Sequence, residues 1–140
     1  MGVIAIVTLQ EIVAILDGQA VSADVDLQMA VDLACGADLM SDVLAFTHAG
    51  TLLLTGLTNP QVVRTAEMAG IKAIVFVRGK MPPPETIALA EKKDIPLLAS
   101  PLTLYESCGR LYAHGLQGCG AFDLNRGAHG RPETARGSEL

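Results

Sequence analysis

Polar, glycine and basic residues follow three consecutive apolar runs of this chain, and their types suit the binding of an anion. Glycine lets the backbone approach a ligand closely, hydroxyl groups and helix N–H groups donate hydrogen bonds to phosphate oxygens, and Arg and Lys supply positive charge. The predicted ligand-binding residues are Thr55, Gly56, Thr58, Asn59, Arg78, Gly79, Lys80 and Ser100, with Thr103 next to them. The alternative is that Asn59, Ser100 and Thr103 only cap helices and that Arg78 and Lys80 are exposed turn charges.

A second polar cluster consists of Asp38, Ser41 and Asp42. Its carboxylates suit a divalent cation or the cations of a neighbouring molecule. Two acids at the start of a helix are also what the helix dipole favours without any ligand.

Cys108, His114 and Cys119 are the residues whose chemistry suits zinc or iron. They supply only three soft ligands, and Cys108 falls on an apolar helix face, where a thiol commonly behaves as a small hydrophobic group. We therefore predict no metal and no cofactor. A small enzyme or redox protein that uses Cys108 or Cys119 remains the alternative. With Cys35 the chain has three cysteines and no CxxC spacing, which is typical of a reducing compartment.

Catalytic motifs are missing from the sequence. It contains no GxxxxGK[ST] or GxGxxG loop, no HExxH and no spacing typical of a Ser-His-Asp or Cys-His site. We predict a protein that is not an enzyme.

The elements that must position the anion-binding residues lie between Thr51 and Ala99. TLLLT, KAIVFV and IPLLA are continuous apolar runs, and the segments from Pro60 to Gly70 and PPPETIALAEKKD between them have helical character. Strands that are apolar on both faces are typical of a parallel sheet covered by helices. The predicted fold class is α/β, a three-layer α/β/α arrangement with a mainly parallel sheet.

The segment before this block predicts shorter elements. Thr8 and Glu11 form a capping-box pattern at the start of a helix that Gly18 ends. We expect a strand over 19–22 and a strand over 27–36, for which an Ala-rich helix is the alternative. A helix over 38–46 would be capped by Asp38 or Ser41.

The last helix is expected to begin at Ser100 or Thr103, with Leu104, Cys108 and Leu111 on its apolar face, and to end at Gly115. The residues that follow are rich in Gly, Arg and polar groups and lack a period. We predict one domain over residues 1–117 and a flexible tail over residues 118–140.

Charge and composition exclude some partners. The net charge is -5, and residues 1–63 contain seven acids and no Lys or Arg, so nucleic-acid binding is disfavoured. No apolar run approaches the length of a membrane span, and the first residues lack the basic group of a signal peptide, which predicts a cytoplasmic protein. Because 50% of the residues are hydrophobic, we expect a homodimer or a larger homo-oligomer that buries the excess apolar surface.

The order of these segments resembles that of the DRTGG domain family. The segments concerned are TLQEIVAIL, CGADLMSDVLAF, TLLLTGLTNPQVVRTAEMAG, KAIVFVRGK and IPLLASPLTLYESCGRLY. The Asp-Arg pair that gives the family its name falls on Thr58-Asn59, and its Thr-Gly-Gly falls on Val77-Arg78-Gly79, so only Gly79 is retained. The loss of the other name-giving residues implies that the chain belongs to a divergent, stand-alone branch of the family.

The resemblance implies a regulatory or interaction module. Such domains recur as accessory modules in phosphotransacetylases and CBS-containing pyrophosphatases, and a related fold forms the N-terminal regulatory half of HPr kinase/phosphorylase. Stand-alone members tend to accompany hydrogenase-type electron-transfer genes, which implies a protein partner in an electron-transfer or regulatory complex.

Overall fold

A computed structural model describes residues 5–22 and 24–120 of the chain. The helices are α1 (Leu9–Ile15), α2 (Met40–Phe46), α3 (Pro60–Ala69), α4 (Pro84–Lys92) and α5 (Leu104–Ala113). The strands are β1 (Val7–Thr8), β2 (Gln19–Ala20), β3 (Ala30–Val31), β4 (Ala34–Gly36), β5 (Leu52–Thr55), β6 (Ala73–Phe76) and β7 (Leu97–Ala99). None of these helices has the length and apolar character needed to cross a membrane.

The central sheet has five strands in the order β2-β7-β6-β5-β4. Strands β4 to β7 are parallel, and β2 joins β7 in the antiparallel direction at one edge. Every residue of β5, β6 and β7 is buried, as expected for strands covered on both faces. The predicted mainly parallel sheet is confirmed. A separate two-stranded sheet, in which β1 and β3 pair antiparallel, was not part of the prediction.

Helices cover both faces of the central sheet. On one face, Leu52 and Leu54 pack in a core with residues of α1 and α5, such as Ile12 and Leu111. On the other face, the core includes Val43 from α2, Val62 and Val63 from α3, and Ala90 from α4, together with Phe76 of β6. The predicted three-layer α/β/α arrangement is therefore confirmed.

Helix α1 starts as predicted but ends differently. Thr8 Oγ1 accepts from the Glu11 N–H at 3.1 Å, and Glu11 Oε1 accepts from the Thr8 N–H at 2.8 Å, which is a complete capping box. The left-handed residue that follows the helix is Asp17, with a φ of 53°, and not Gly18. Gly18 is instead required by a close approach: a Cβ there would lie 2.5 Å from the carbonyl oxygen of Ala99.

The strand predicted over 27–36 is broken into two. Val31 of β3 pairs with Val7, whereas Ala34 of β4 pairs with Leu52 in the five-stranded sheet. The strand interpretation is correct and the helical alternative is wrong. The prediction of a single strand fails because the two halves pair in different sheets.

Helix α2 also differs from the prediction at its start. Leu39 is the N-cap residue and makes no side-chain capping bond, so the predicted cap by Asp38 or Ser41 is wrong. The Asp38 carboxylate instead binds the loop after β5, as described below.

Helix α3 begins and ends at the predicted residues, and α5 begins after one of the two predicted residues. Pro60 begins α3, and Gly70 ends it in the left-handed conformation with a φ of 74°. Thr103 caps α5 by accepting from the Glu106 N–H at 3.2 Å, which settles the start of this helix in favour of Thr103 over Ser100. Gln117 forms a bridge with Leu33, and residues 121–140, most of the predicted tail, lie outside the described residues.

Candidate functional site

The carboxyl ends of β4 to β7 meet at one edge of the sheet, and most of the predicted ligand-binding residues follow these ends. Asp38 follows β4, Gly56 follows β5, Arg78 follows β6 and Ser100 follows β7. Because β2 runs in the opposite direction, its start at Gln19 reaches the same edge. We call this region the carboxyl edge.

A carboxylate already occupies the hydrogen-bond donors of the loop after β5. Asp38 Oδ1 accepts from the hydroxyl of Thr55 at 2.9 Å and from the N–H of Gly56 at 2.7 Å. The sequence predicts that these two groups donate to an external anion. In the structure they donate instead to Asp38, a residue of the predicted polar cluster. The two predicted sites are therefore joined, and Asp38 holds the β4–α2 loop against the β5–α3 loop.

The rest of the β5–α3 loop is tied to helix α4. The Thr58 carbonyl oxygen accepts from the hydroxyl of Thr86 at 2.7 Å, and Thr86 is fully buried. Asn59 is the N-cap residue of α3, but its exposed side chain makes no capping bond. The alternative that the Asn59 side chain acts as a cap is therefore wrong.

The loop after β6 makes a tight turn that projects two cations into solvent. Arg78 and Gly79 are both left-handed, with φ of 62° and 69°, and the Lys80 N–H donates to the Val77 carbonyl at 3.3 Å. The N–H groups of Arg78 and Gly79 donate to Leu102 and Ser100 carbonyls at 2.7 and 2.9 Å. Since the turn's amides are used internally, an anion at this turn would be bound by side chains. Arg78 and Lys80 are exposed, and neither forms an ion pair with any residue that the structure describes.

A cleft of about 280 Å³ lies beside this turn, and its walls include Asp17, Gln19, Gly79, Met81 and Ser100. The Ser100 hydroxyl is buried and donates to the Leu16 carbonyl at 2.7 Å, so it supports the wall of the cleft from within. Asp17 also lines the cleft, and its Oδ2 is 3.4 Å from Nη1 of Arg110, which reduces the repulsion between Asp17 and an anion. The structure thus brings Gly79 and Ser100 together, while Thr55 and Gly56 lie with Asp38 in another part of the carboxyl edge.

A second cleft, larger than the one beside the turn after β6, was not predicted. It has a volume of about 610 Å³ and lies between α5 and the edge strand β4, with Gly36, Tyr105, Cys108 and Tyr112 among its lining residues. The spacing of Tyr105 and Tyr112 on one helix face was the available sequence signal, and it was missed because neither side chain carries a charge or a nucleophile.

The family of the chain follows from comparison with known proteins. The family model described as "DRTGG domain" matches residues 11–113, which is well over half of the chain. The chain belongs to the DRTGG domain family. No curated protein matches it.

The fold of this DRTGG domain is similar to that of a solved structure. It is the crystal structure of the CBS and DRTGG domains of the regulatory region of Clostridium perfringens pyrophosphatase, in complex with the activator diadenosine tetraphosphate. The TM-score is 0.65 at 18% sequence identity, and the match covers 79% of this chain and 47% of that chain. The likeness shows the fold, and this chain spans about half of the length of the structure that it matches.

The turn after β6 contains the one glycine that the DRTGG resemblance retains. By that resemblance the family's second glycine falls on Gly79, whose φ of 69° favours glycine over any residue with a Cβ. The family's first glycine falls on Arg78, which adopts a φ of 62°. An arginine therefore occupies a left-handed position here, at a cost of about 1 kcal/mol.

The cysteines of this DRTGG domain lie around the edge strand β4. A Cβ at Gly36 would lie 2.5 Å from Cys108 Sγ, and Cys119 Sγ is 3.3 Å from Thr51 Oγ1. Burial, followed by the charges of neighbouring Cys119, Cys108 and Asp42, raises the pKa of Cys35 to about 11, and burial raises the pKa of Cys108. His114 Nδ1 lies 2.8 Å from the Arg110 carbonyl oxygen. Over residues 5–22 and 24–120, no group of three or more His, Cys, Asp or Glu side chains could hold a metal ion.

These raised pKa values predict that the thiols of Cys35 and Cys108 react slowly with alkylating reagents. Because only the thiolate is nucleophilic, Cys35 of the folded protein should react with iodoacetamide at about pH 8 at least tenfold more slowly than Cys35 of the urea-unfolded chain. Mass spectrometry of peptides after timed quenching measures the rate at each cysteine. The unfolded chain is the matched control, and equal rates in the two states would contradict the raised pKa.

Proposed function

We propose that this DRTGG domain is a non-catalytic regulatory module that senses a small anionic metabolite or a nucleotide at its carboxyl edge. One observation carries the proposal: Arg78 and Lys80 are exposed without an ion-pair partner in the described part of the chain, and they are the sequence neighbours of Gly79, which lines a cleft of about 280 Å³. Two unpaired cations beside a concave surface attract an anion, and Arg also binds a phosphate with two parallel hydrogen bonds.

The backbone at Arg78 supports this proposal. A residue other than glycine in the left-handed region is a source of strain, and such strain often accompanies a functional requirement. Glycine at this position would relieve the strain but would remove one of the two charges. A requirement for the guanidinium group at this turn therefore explains why an arginine occupies the strained position 78.

The shape of the cleft suggests a ligand with an apolar part in addition to its charge. Met81 lines the cleft and is half exposed, with 52% of its surface accessible. Its thioether can pack against an aromatic ring such as a nucleobase. Thr58 and Asn59 lie along the same edge of the sheet and would contact the more distant part of a larger ligand, whereas Thr55 and Gly56 already donate to Asp38.

The solved structure supports a nucleotide as one ligand class, since the regulatory region that it describes binds diadenosine tetraphosphate. That region contains CBS and DRTGG domains, and this chain covers only 47% of it. The nucleotide's binding site is therefore not transferred to this chain, and only the ligand class is proposed.

A regulatory module also needs a protein that responds to it. We propose that the domain acts in the cytoplasm as a homo-oligomer and that it contacts a partner protein. The family resemblance alone suggests a partner in a hydrogenase or other electron-transfer system. Co-purification from the native cells, with and without the anion that binds, would identify that partner.

A thermal-shift panel tests the anion site with inorganic phosphate, acetyl phosphate, ATP and ADP as probes. A probe at about tenfold its Kd stabilises the folded state by about 1.4 kcal/mol, which raises the Tm of a domain of this size by a few degrees. The Arg78→Ala/Lys80→Ala double variant should lose this shift, because it lacks both cations.

The matched control for this experiment is Arg64→Ala/Lys92→Ala, which removes the same charge at two exposed positions away from the cleft. The control should keep the shift of the wild type. If no probe shifts the Tm, or if the control loses as much of the shift as the Arg78→Ala/Lys80→Ala variant, the anion site is wrong.

A further inference from the structure

Two of the three cysteines come together where the chain returns to the edge strand β4 after helix α5. Leu33 and Gln117 form a parallel bridge, and the N–H of Ala34 donates to the Gln117 carbonyl oxygen at 2.8 Å. A Cβ at position 118 would lie 3.8 Å from the Ala34 carbonyl oxygen, so the two backbones are still adjacent one residue after the bridge. The parallel register that starts at the bridge therefore brings Cys119 opposite Cys35.

Cys35 points to the face of the sheet that helices α2 and α3 cover. Its neighbour Gly36 faces α5, since a Cβ there would lie 2.5 Å from Cys108 Sγ. Successive residues of a strand point to opposite faces. Leu53, the register partner of Cys35 on β5, accordingly packs in the core with α2 and α3. Cys108 therefore lies on the other face of β4 from the Cys35 side chain.

Cys119 lies on the same face as Cys35. Its Sγ is 3.3 Å from Oγ1 of Thr51, a fully buried residue that comes two positions before Leu53 and so shares its face. The segment that contains Cys119 runs along the outer side of β4, whereas Thr51 leads into β5 on the inner side. To reach Thr51, the Cys119 side chain must cross β4 on the face where Cys35 points.

We propose that Cys35 and Cys119 are a redox-sensitive pair, which a hydroperoxide converts into a disulfide. The Cα atoms of disulfide-bonded residues are about 4.4–6.8 Å apart, and neighbouring backbones of a sheet are about 4.8 Å apart, so opposite positions are within range. Both thiols are free and half-buried. A reducing compartment keeps such a pair reduced at rest, and the bond is then a reversible response to an oxidant.

The oxidation proceeds in two steps. The Cys119 sulfur attacks one oxygen of hydrogen peroxide, the O–O bond breaks, and Cys119 becomes a sulfenic acid while the other oxygen leaves as water. The Cys35 sulfur then attacks the sulfenic sulfur, the S–O bond breaks, and a second water leaves. The two thiols lose two electrons and two protons, which the peroxide takes up. Because burial raises the pKa of Cys35, we assign Cys35 to the second step, where its proximity to Cys119 compensates.

The disulfide would fasten the segment after α5 to the edge of the central sheet. It closes a loop that contains β5, β6 and β7, and a cross-link over so long a loop restricts the unfolded chain strongly. We expect the oxidised protein to melt about 5–15 °C above the reduced protein. The pair is independent of the anion site, because it lies at β4 and not at the turn after β6.

Peptide mapping of the full chain tests the proposal. The protein, at low concentration, is treated with a small excess of hydrogen peroxide, blocked with N-ethylmaleimide and digested with trypsin without reduction. Arg110 separates Cys108 from Cys119, so the peptide 111–126 should be linked to the peptide 1–64, which contains Cys35. Thiol titration in denaturant should fall from three groups per chain to one. Dithiothreitol should restore all three.

Cys108→Ser is the matched control and should form the link to the same extent as the wild type. Cys119→Ser should abolish both the link and the rise of the Tm on oxidation. The map of the wild type identifies the pair without relying on the fold of any variant. A missing link, a link between Cys35 and Cys108, a link between two chains, or a lower Tm after oxidation would overturn the proposal.

Discussion

Replacing Phe76 by alanine is expected to lower the free energy of unfolding by about 3–5 kcal/mol. Phe76 is fully buried and has the largest of the fully buried side chains. It packs in the core between the sheet and helices α2, α3 and α4, where removal of the ring leaves a cavity that the surrounding strands cannot fill. Since domains of this kind are stable by only about 5–15 kcal/mol, the variant would lie near the limit of folding.

Urea unfolding followed by circular dichroism measures the effect of Phe76→Ala. Met68→Ala removes a large side chain that is 64% exposed and should change the stability by no more than about 0.5 kcal/mol. A loss of less than about 1 kcal/mol for Phe76→Ala would mean that this core is packed differently. Phe76 also ends the strand that precedes Arg78, so a variant that still folds should bind the anionic probe more weakly.

Replacing Gly18 by alanine should cost about 3 kcal/mol, the upper end of the range for overpacking. The added Cβ would lie 2.5 Å from the Ala99 carbonyl oxygen, and both groups belong to the backbone, so neither can rotate away. The clash separates the start of β2 from β7, where Gln19 pairs with Ala99. Gly18 and Ala99 both line the cleft beside Arg78, so ligand binding should decline with stability.

The matched control for Gly18→Ala is Gly109→Ala, the same chemical change at a position where the new methyl group meets nothing. The two variants should shift the unfolding midpoint of dilute protein in opposite directions. A Gly18→Ala protein with wild-type stability would show that β2 is free to move away from β7 at little cost.

The central sheet could be predicted from the sequence because its signals are local. The runs that became β5, β6 and β7 are continuously apolar. Pro60 and Gly70 mark helix ends by their backbone conformation, and Thr103 marks one by its capping hydroxyl. A parallel sheet then requires that the loops after these strands share one edge. Arg78 and Lys80 lie at this edge for that reason.

The remaining features depend on pairings between distant segments. The break between β3 and β4 follows from which strand each half meets, and residues 27–36 carry no local sign of that choice. The sequence predicts Asp38 as a helix cap because nothing near it indicates its actual hydrogen-bond partner. That partner is the Gly56 N–H, 18 residues away along the chain. Hydroxyl groups such as that of Ser100 were assigned to a ligand because their internal partners were not visible.

Helix α1 is fastened to the body of the protein by residues that come much later in the chain. The Leu16 carbonyl accepts from Ser100, and the Ile15 carbonyl accepts from Arg110 at 3.1 Å. During translation α1 leaves the ribosome well before either donor has been synthesised. Its apolar face, with Leu9 and Ile12, belongs to a core that also includes Leu111 of α5, so this core is incomplete until α5 emerges. Until then the incomplete core exposes apolar surface that a chaperone can protect during synthesis.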